Sequence, residues 1–208
     1  MTQRKRNRRW LDEHFSDAFV KRAQKEGVRS RAVYKLEEID RKDRLLKSGM
    51  TVIDLGASPG GWSEYAAQRV GDRGRVVAVD LLPMDSLAGV SFIQGDFREQ
   101  EVLDELLAQV KERSVDLVLS DMAPNLSGVK AADQARAMYL VELALELAQR
   151  VLRQGGGLLV KMFQGEGSED YLRALRESFG KVLIRKPQAS RSCSSEVYVL
   201  ARNYIIKG

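Results

Sequence analysis

From Gly49 onward the chain alternates short apolar runs with longer amphipathic stretches, and that alternation limits the possible folds more than any other feature of the sequence. The runs are TVIDL (51–55), RVVAVD (75–80), VSFIQGD (90–96), VDLVLSD (115–121) and GLLVKMF (157–163). Strands interleaved with segments of helical period pair in parallel, because each crossover helix carries the chain back to the starting edge of the sheet. The last two runs, KVLIRKP (181–187) and EVYVLARNY (196–204), are separated only by the polar QASRSCSS, which is too short for a crossover. They are expected to pair antiparallel. The expectation is an α/β fold built on a seven-stranded, mostly parallel sheet, with an antiparallel strand at the C-terminal end and helices on both faces.

Ahead of the sheet, residues 10–48 read as a helical leader broken near Gly27, with Ser30 as an N-cap and Val33, Leu36, Ile39 and Leu45 on one face. The first nine residues hold RKRNRR, read as a mobile basic tail. A chain of 208 residues is expected to form one domain over residues 10–208, without a disulfide or a metal. Cys193 is the only cysteine, so neither an internal disulfide nor a zinc cluster is available, and a reducing, cytoplasmic setting is expected. Lysines and arginines number 34 against 29 acids, with the excess gathered in the tail. That balance suits a polyanionic partner, since each cation that neutralises a phosphate releases a counterion. No run approaches the roughly 18 apolar residues of a membrane span.

The first strand runs into DLGASPGGWSEYA (54–66). In an open α/β sheet this turn faces the ligand crevice, and the N-terminus of the following helix offers unpaired N–H groups. Trp62 stands directly behind the glycines and reads as exposed. A dinucleotide fingerprint would need a glycine at 58, where the chain has Ser58. Asp54, Asp80, Asp96 and Asp121 end the first four strands, so carboxylates gather on one edge; Asp80 is placed to accept two ribose hydroxyls, and Asp96 to read an adenine amino group. A strand-end acid can equally cap a helix. Four at successive strand ends suit a ligand that carries both an adenosine and a cationic centre.

The segments GMTVIDLGASPGGWSEYA, VVAVDLLPM, GDFRE, SDMAPNLSG, RAMYLVELAL, GGGLLVKMFQGEG and SSEVYVLARN together resemble the FtsJ/RrmJ-type ribosomal RNA 2′-O-methyltransferases. The resemblance implies a Rossmann-like methyltransferase fold with S-adenosylmethionine as cofactor. It carries the cofactor contacts onto Gly60, Trp62, Asp80, Asp96 and Asp121, and a Lys-Asp-Lys-Glu catalytic set onto Lys35, Asp121, Lys161 and Glu196. It further implies a monomer acting on a uridine of 23S ribosomal RNA, within the assembled 50S subunit. Ser58 departs from the family's usual alanine by one small substitution.

Two of these residues also stand out without the resemblance. Methyl transfer to a ribose hydroxyl needs a proton acceptor. Lys161 lies inside an apolar strand, where burial would lower its pKa from about 10.4 and leave an amine able to take that proton. The competing reading is a lysine that snorkels to water from the strand end. Asp121 could steer both the lysine and a cationic ligand. Lys35 reads on its own as a solvated helix lysine and Glu196 as a strand-edge acid, so their roles rest on the resemblance. His14 suggests no metal or base role, Trp10, Phe15 and Phe19 read as packing residues, and Arg29 and Arg31 read as a basic rim beside the pocket. The other readings are a non-catalytic RNA-binding or ribosome-assembly protein on the same fold, a 2′-O-methyltransferase acting on tRNA, and, more distantly, a nicotinamide oxidoreductase.

Overall fold

The computed structural model describes residues 18–110, 114–190 and 194–206. The readings made for the basic tail and for Trp10, His14, Phe15 and Cys193 lie outside those residues. In chain order the elements are α1 (Ala18–Glu26), α2 (Val33–Asp43), β1 (Thr51–Leu55), α3 (Gly61–Val70), β2 (Arg75–Asp80), β3 (Val90–Gln94), α4 (Gln100–Gln109), β4 (Val115–Ser120), α5 (Lys130–Val151), β5 (Leu152–Phe163), α6 (Ser168–Ser178), β6 (Phe179–Arg185) and β7 (Glu196–Tyr204). The N-cap of α2 is Ala32, which has no side-chain cap, rather than Ser30; Ser30 instead steadies the turn before the helix, its Oγ accepting the Ala32 N–H at 3.1 Å.

The strands form one seven-stranded sheet in the order β3-β2-β1-β4-β5-β7-β6. Every pairing from β3 to β5 is parallel, and β7 runs antiparallel between β5 and β6. The strand order reverses between β1 and β4, so the loops after those strands open the crevice where such sheets bind ligands. β5 begins five residues earlier than the apolar run suggests, because Leu152 pairs with Val115 before a register shift and Gly157 with Leu117 after it.

Alternation along the strands assigns the two faces. Val52, Val76, Leu117, Leu119, Leu159, Tyr198 and Leu200 point to the face covered by α2 and α3, where Leu36, Ile39, Trp62 and Ala66 meet them. Ile53, Val77, Val118, Leu158, Val160 and Val199 point to the other face, beneath α5 and α6. α1 sits outside the first layer, with Ala23 and Phe19 packed on Val33, Tyr34 and Ala189. Phe19 is thus a packing residue, its ring centroid 5.8 Å from that of Tyr34.

Leu36 has no exposed surface and fixes α2 onto the strands that carry the site. Leu36→Ala is expected to cost about 2–5 kcal/mol in urea denaturation. A loss under about 1 kcal/mol would mean that α2 is held by other contacts.

Candidate active site

Lys161 lies in β5 directly opposite Tyr198 of β7, and Glu196 lies two residues before Tyr198 on the same face. That face is the one covered by α2, so Lys35 in the first turn of α2 descends on the same group. β4 ends at Ser120, whose partner is Val160, and this sets Asp121 beside Lys161.

The four residues named from the sequence meet as two ion pairs. Lys161 Nζ lies 3.2 Å from Asp121 Oδ1 and donates to the Asp121 carbonyl, while Lys35 Nζ donates to Glu196 Oε1 at 2.7 Å. Both lysines are buried, at 7 % exposure for Lys35 and 8 % for Lys161, which excludes the solvated reading of Lys35 and the snorkelling reading of Lys161. Tyr198, which sequence reasoning missed, joins the pairs: its hydroxyl donates to Asp121 Oδ1 at 2.6 Å and accepts from Lys35 Nζ at 3.2 Å. Burial, then the negative charge of Asp121 and Glu196, push the Tyr198 phenol well above its usual range, so it stays a donor. For Glu196 burial opposes ionisation, but the Lys35 charge with hydrogen bonds from Lys35 and Ser190 outweighs it and holds the carboxyl below its ordinary range. Ser190 Oγ donates to the same oxygen at 2.8 Å. The strand's parity could have found Tyr198, since a residue two away from Glu196 shares its face.

Next to this network is a cavity of about 380 Å³, walled by the loops after β1 to β4 and by α5. Gly56, Asp80, Asp96 and Asp121 line it, with Met122 and Leu140 among the apolar walls. The Asp80 oxygens accept the Ser58 and Leu82 N–H groups at 2.9 and 2.8 Å, which orients the carboxylate and leaves further lone pairs free. Asp96 stands two residues past the end of β3, and the Arg98 guanidinium holds its carboxyl below the usual range.

The glycine turn works differently from its sequence reading. A Cβ on Gly60 (φ +103°) would meet Met84 Sδ at 2.8 Å and Leu87 Cδ1 at 2.9 Å, and one on Gly56 would meet Met122 Cγ at 2.7 Å, so these glycines admit neighbouring protein. Trp62 is 3 % exposed rather than displayed to a ligand. Its Nε1 donates to the Ala32 carbonyl at 2.7 Å and its ring lies 5.6 Å from that of Tyr198, so the indole props α2 and the tyrosine from behind. Neither Gly60 nor Trp62 lines the cavity; what they can turn toward a ligand is backbone at the start of α3, whose first-turn N–H groups have no helical acceptor. Arg29 forms no free basic rim, because its guanidinium donates to the carbonyls of Pro59, Asp85 and Ser86, and Arg31 donates to the Ala189 carbonyl.

With this geometry, the comparisons with known proteins are specific. The sequence profile of the FtsJ-like methyltransferase family matches residues 28–204. The chain belongs to the FtsJ-like methyltransferase family. It is 58 % identical over 204 residues to the ribosomal RNA large subunit methyltransferase E of Legionella pneumophila (strain Lens), covering 98 % of this chain and 99 % of that one. A crystal structure described as a ribosomal RNA methyltransferase from Plasmodium falciparum superposes with a TM-score of 0.75 at 28 % identity, over 85 % of this chain and 98 % of that one. The protein is therefore a methyltransferase with the seven-stranded sheet of its family. Among the described residues no helix is long and apolar enough to cross a membrane, and no group of three or more His, Cys, Asp or Glu could hold a metal ion.

Asp54 has no exposed surface; Ser63 Oγ donates to its Oδ2 at 2.6 Å, and its Oδ1 has no partner. Burial raises its pKa, the Ser63 bond lowers it, and the charges of Asp121 and Asp80 raise it again, to about 7. Between about 4 and 7 the folded protein therefore binds a proton that the unfolded chain has released, and this group's contribution to stability falls as pH rises through that window. Asp54→Asn should remove that slope in denaturation midpoints measured between about pH 5 and pH 8. An unchanged slope would show that Asp54 stays ionised throughout.

Proposed function

We propose that this methyltransferase uses S-adenosylmethionine to methylate a ribose 2′-hydroxyl of large-subunit ribosomal RNA, a uridine of the 23S RNA within the assembled 50S particle. The observation that carries the reading is the buried Lys161–Asp121 pair, coupled through Tyr198 to Lys35–Glu196 and sharing Asp121 with the cavity. The substrate class follows the name of the Legionella relative.

The cavity suits the cofactor, having an oriented carboxylate at Asp80, a second at Asp96 and apolar walls, at a volume within the range of small-molecule sites. Asp80 would hold the ribose hydroxyls, Asp96 the adenine amino group, and the backbone at Gly60 and Trp62 the methionine end, with Asp121 between the cavity and Lys161. When bound, the cofactor supplies a methyl group on a sulfonium. Once it has released its own proton to solvent, Lys161 Nζ as a neutral amine takes the proton from the ribose 2′-oxygen, and Asp121 orients that amine through two of its oxygens. Lys35 and Glu196 hold Tyr198 and, through its hydroxyl, restrict the rotation of the Asp121 carboxylate. The protein acts as a cytoplasmic monomer of one domain, and the basic segment at residues 1–9 adds phosphate contacts without choosing the base.

The test is incubation with methyl-labelled S-adenosylmethionine and either undermethylated large subunits or naked ribosomal RNA, followed by mapping of the labelled nucleotide. Label confined to tRNA, or absent from a folded protein that binds the cofactor, would overturn the reading. Lys161→Arg keeps the ion pair but cannot give up its own proton to become a base, so turnover should fall on the order of 10²-fold or more while cofactor affinity by calorimetry stays within about twofold. Retained turnover would make the role of Lys161 electrostatic. Asp80→Ala should weaken cofactor binding by roughly 10-fold to 100-fold, the worth of a charged hydrogen bond. Unchanged affinity would remove Asp80 from the site.

A further inference from the structure

The basic groups around the active site are spent internally, with Lys35 and Lys161 on carboxylates, Arg98 on Asp96 and Arg29 on backbone carbonyls. The opposite edge of the sheet, where β1, β2 and β6 begin and α2 and α3 end, is different. The Gly49 N–H donates to the Val70 carbonyl at 2.8 Å and the Arg75 N–H to the Met50 carbonyl at 2.9 Å. The turn carrying Lys47 is thereby laid against the turn carrying Arg73. Three residues before Lys47, Arg44 closes α2. Arg202 fastens this end of α2 to β7 by donating to the Asp43 carbonyl at 3.1 Å, and Lys181 of β6 is the register partner of Arg202. Arg73, Lys47, Arg44, Lys42 and Lys181 therefore follow one another across the end of the sheet.

All five are exposed, and none makes an ion pair with a described residue. Among the acids at this end, Asp43 is engaged by Arg185 at 2.6 Å and Asp116 by Arg153 at 2.7 Å, while Asp72, between Lys47 and Arg73, and Glu177, just before β6, are exposed. Complementing a helix dipole accounts for Lys42, in the last turn of α2. It does not account for Lys47 or Arg73, which lie in turns, or for Lys181, which lies in a strand.

We propose that this ridge is a second phosphate-binding surface, which docks the enzyme on the backbone of a folded RNA helix remote from the nucleotide being methylated. The proposal rests on the reading of large-subunit ribosomal RNA as substrate. Strands of five to nine residues separate the ridge from the catalytic edge by on the order of 20 Å. A short segment seated in the catalytic crevice leaves the ridge untouched, whereas a folded RNA can present phosphates to both edges. Unpaired, solvated cations gain most from such contacts, because phosphate binding breaks no existing ion pair and releases counterions.

The experiment compares wild type with a variant carrying Lys42→Gln, Arg44→Gln, Lys47→Gln and Arg73→Gln. The substrates are undermethylated large-subunit particles and a short RNA fragment spanning the mapped nucleotide. On particles the KM should rise on the order of tenfold or more at physiological salt, and the slope of log affinity against log salt should fall by about 0.9 for each duplex phosphate that is no longer neutralised. The kcat, the cofactor Kd and the KM for the fragment should stay unchanged. If the fourfold variant does not fold by thermal melting, Lys47→Glu with Arg73→Glu, confined to two surface turns, serves in its place with the same expectations. An unchanged KM and salt slope on particles would make the ridge a solvated face and overturn the proposal, as would an equal rise in KM on fragment and particle, which would put the ridge near the target. Wild type that methylates neither substrate would overturn the substrate reading, and this proposal with it.

Discussion

A lysine inside a buried strand must be met by a carboxylate, and the packing around the active site is arranged to meet that demand at Lys161. The parallel register of β4 against β5 brings Asp121 to one side, and the antiparallel register of β7 brings Tyr198 to the other. The same demand repeats one layer out, where Lys35 can be buried because Glu196 is there. Removing one partner of a buried pair typically costs about 3–5 kcal/mol, since the remaining charge is stranded. The two pairs therefore lock β4, β5, β7 and α2 at the end of the sheet beside the cavity.

The network also explains the residues behind the glycine turn. Trp62 ties α3 to the start of α2 through the Ala32 carbonyl and backs the ring of Tyr198. Arg29 gathers the carbonyls of the loops after β1 and β2. An error in the seating of α3 would thus reach Tyr198, and through its hydroxyl both Lys35 and Asp121. Strands and α2 fix the two ion pairs while loops wall the cavity, the usual division of labour in open α/β sheets.

Most of the sheet was legible because the strands buried on both faces are mostly apolar runs; β1, β2 and β7 match the segments read from sequence. The start of β5 was hidden because Arg153 to Gly156 look like a turn, and only the pairing of Leu152 with Val115 joins that stretch to the strand. In the site, residue types were legible and directions were not. Trp62 reads as a displayed aromatic until α2 is laid over it, and Arg29 reads as a free cation until three carbonyls surround it. Tyr198 sits in an apolar strand, and its hydroxyl matters because Asp121 and Lys35 meet it.

The four aspartates at successive strand ends face one electrostatic problem, and the fold answers it in different ways. Asp121 has Lys161, Asp96 has Arg98, and Asp80 has two backbone N–H groups. Asp54, buried beneath them with a single serine donor, has only a proton, and its pKa of about 7 records the charge of Asp121 and Asp80 on top of its own burial. That residual negative potential is a property of the whole edge rather than of any one carboxylate. A cationic ligand centre placed near Asp121 would relieve it, and the same centre without its positive charge would not. On the proposed reaction this favours the sulfonium form of the cofactor over the neutral thioether that remains after methyl transfer, which is the direction that helps product leave.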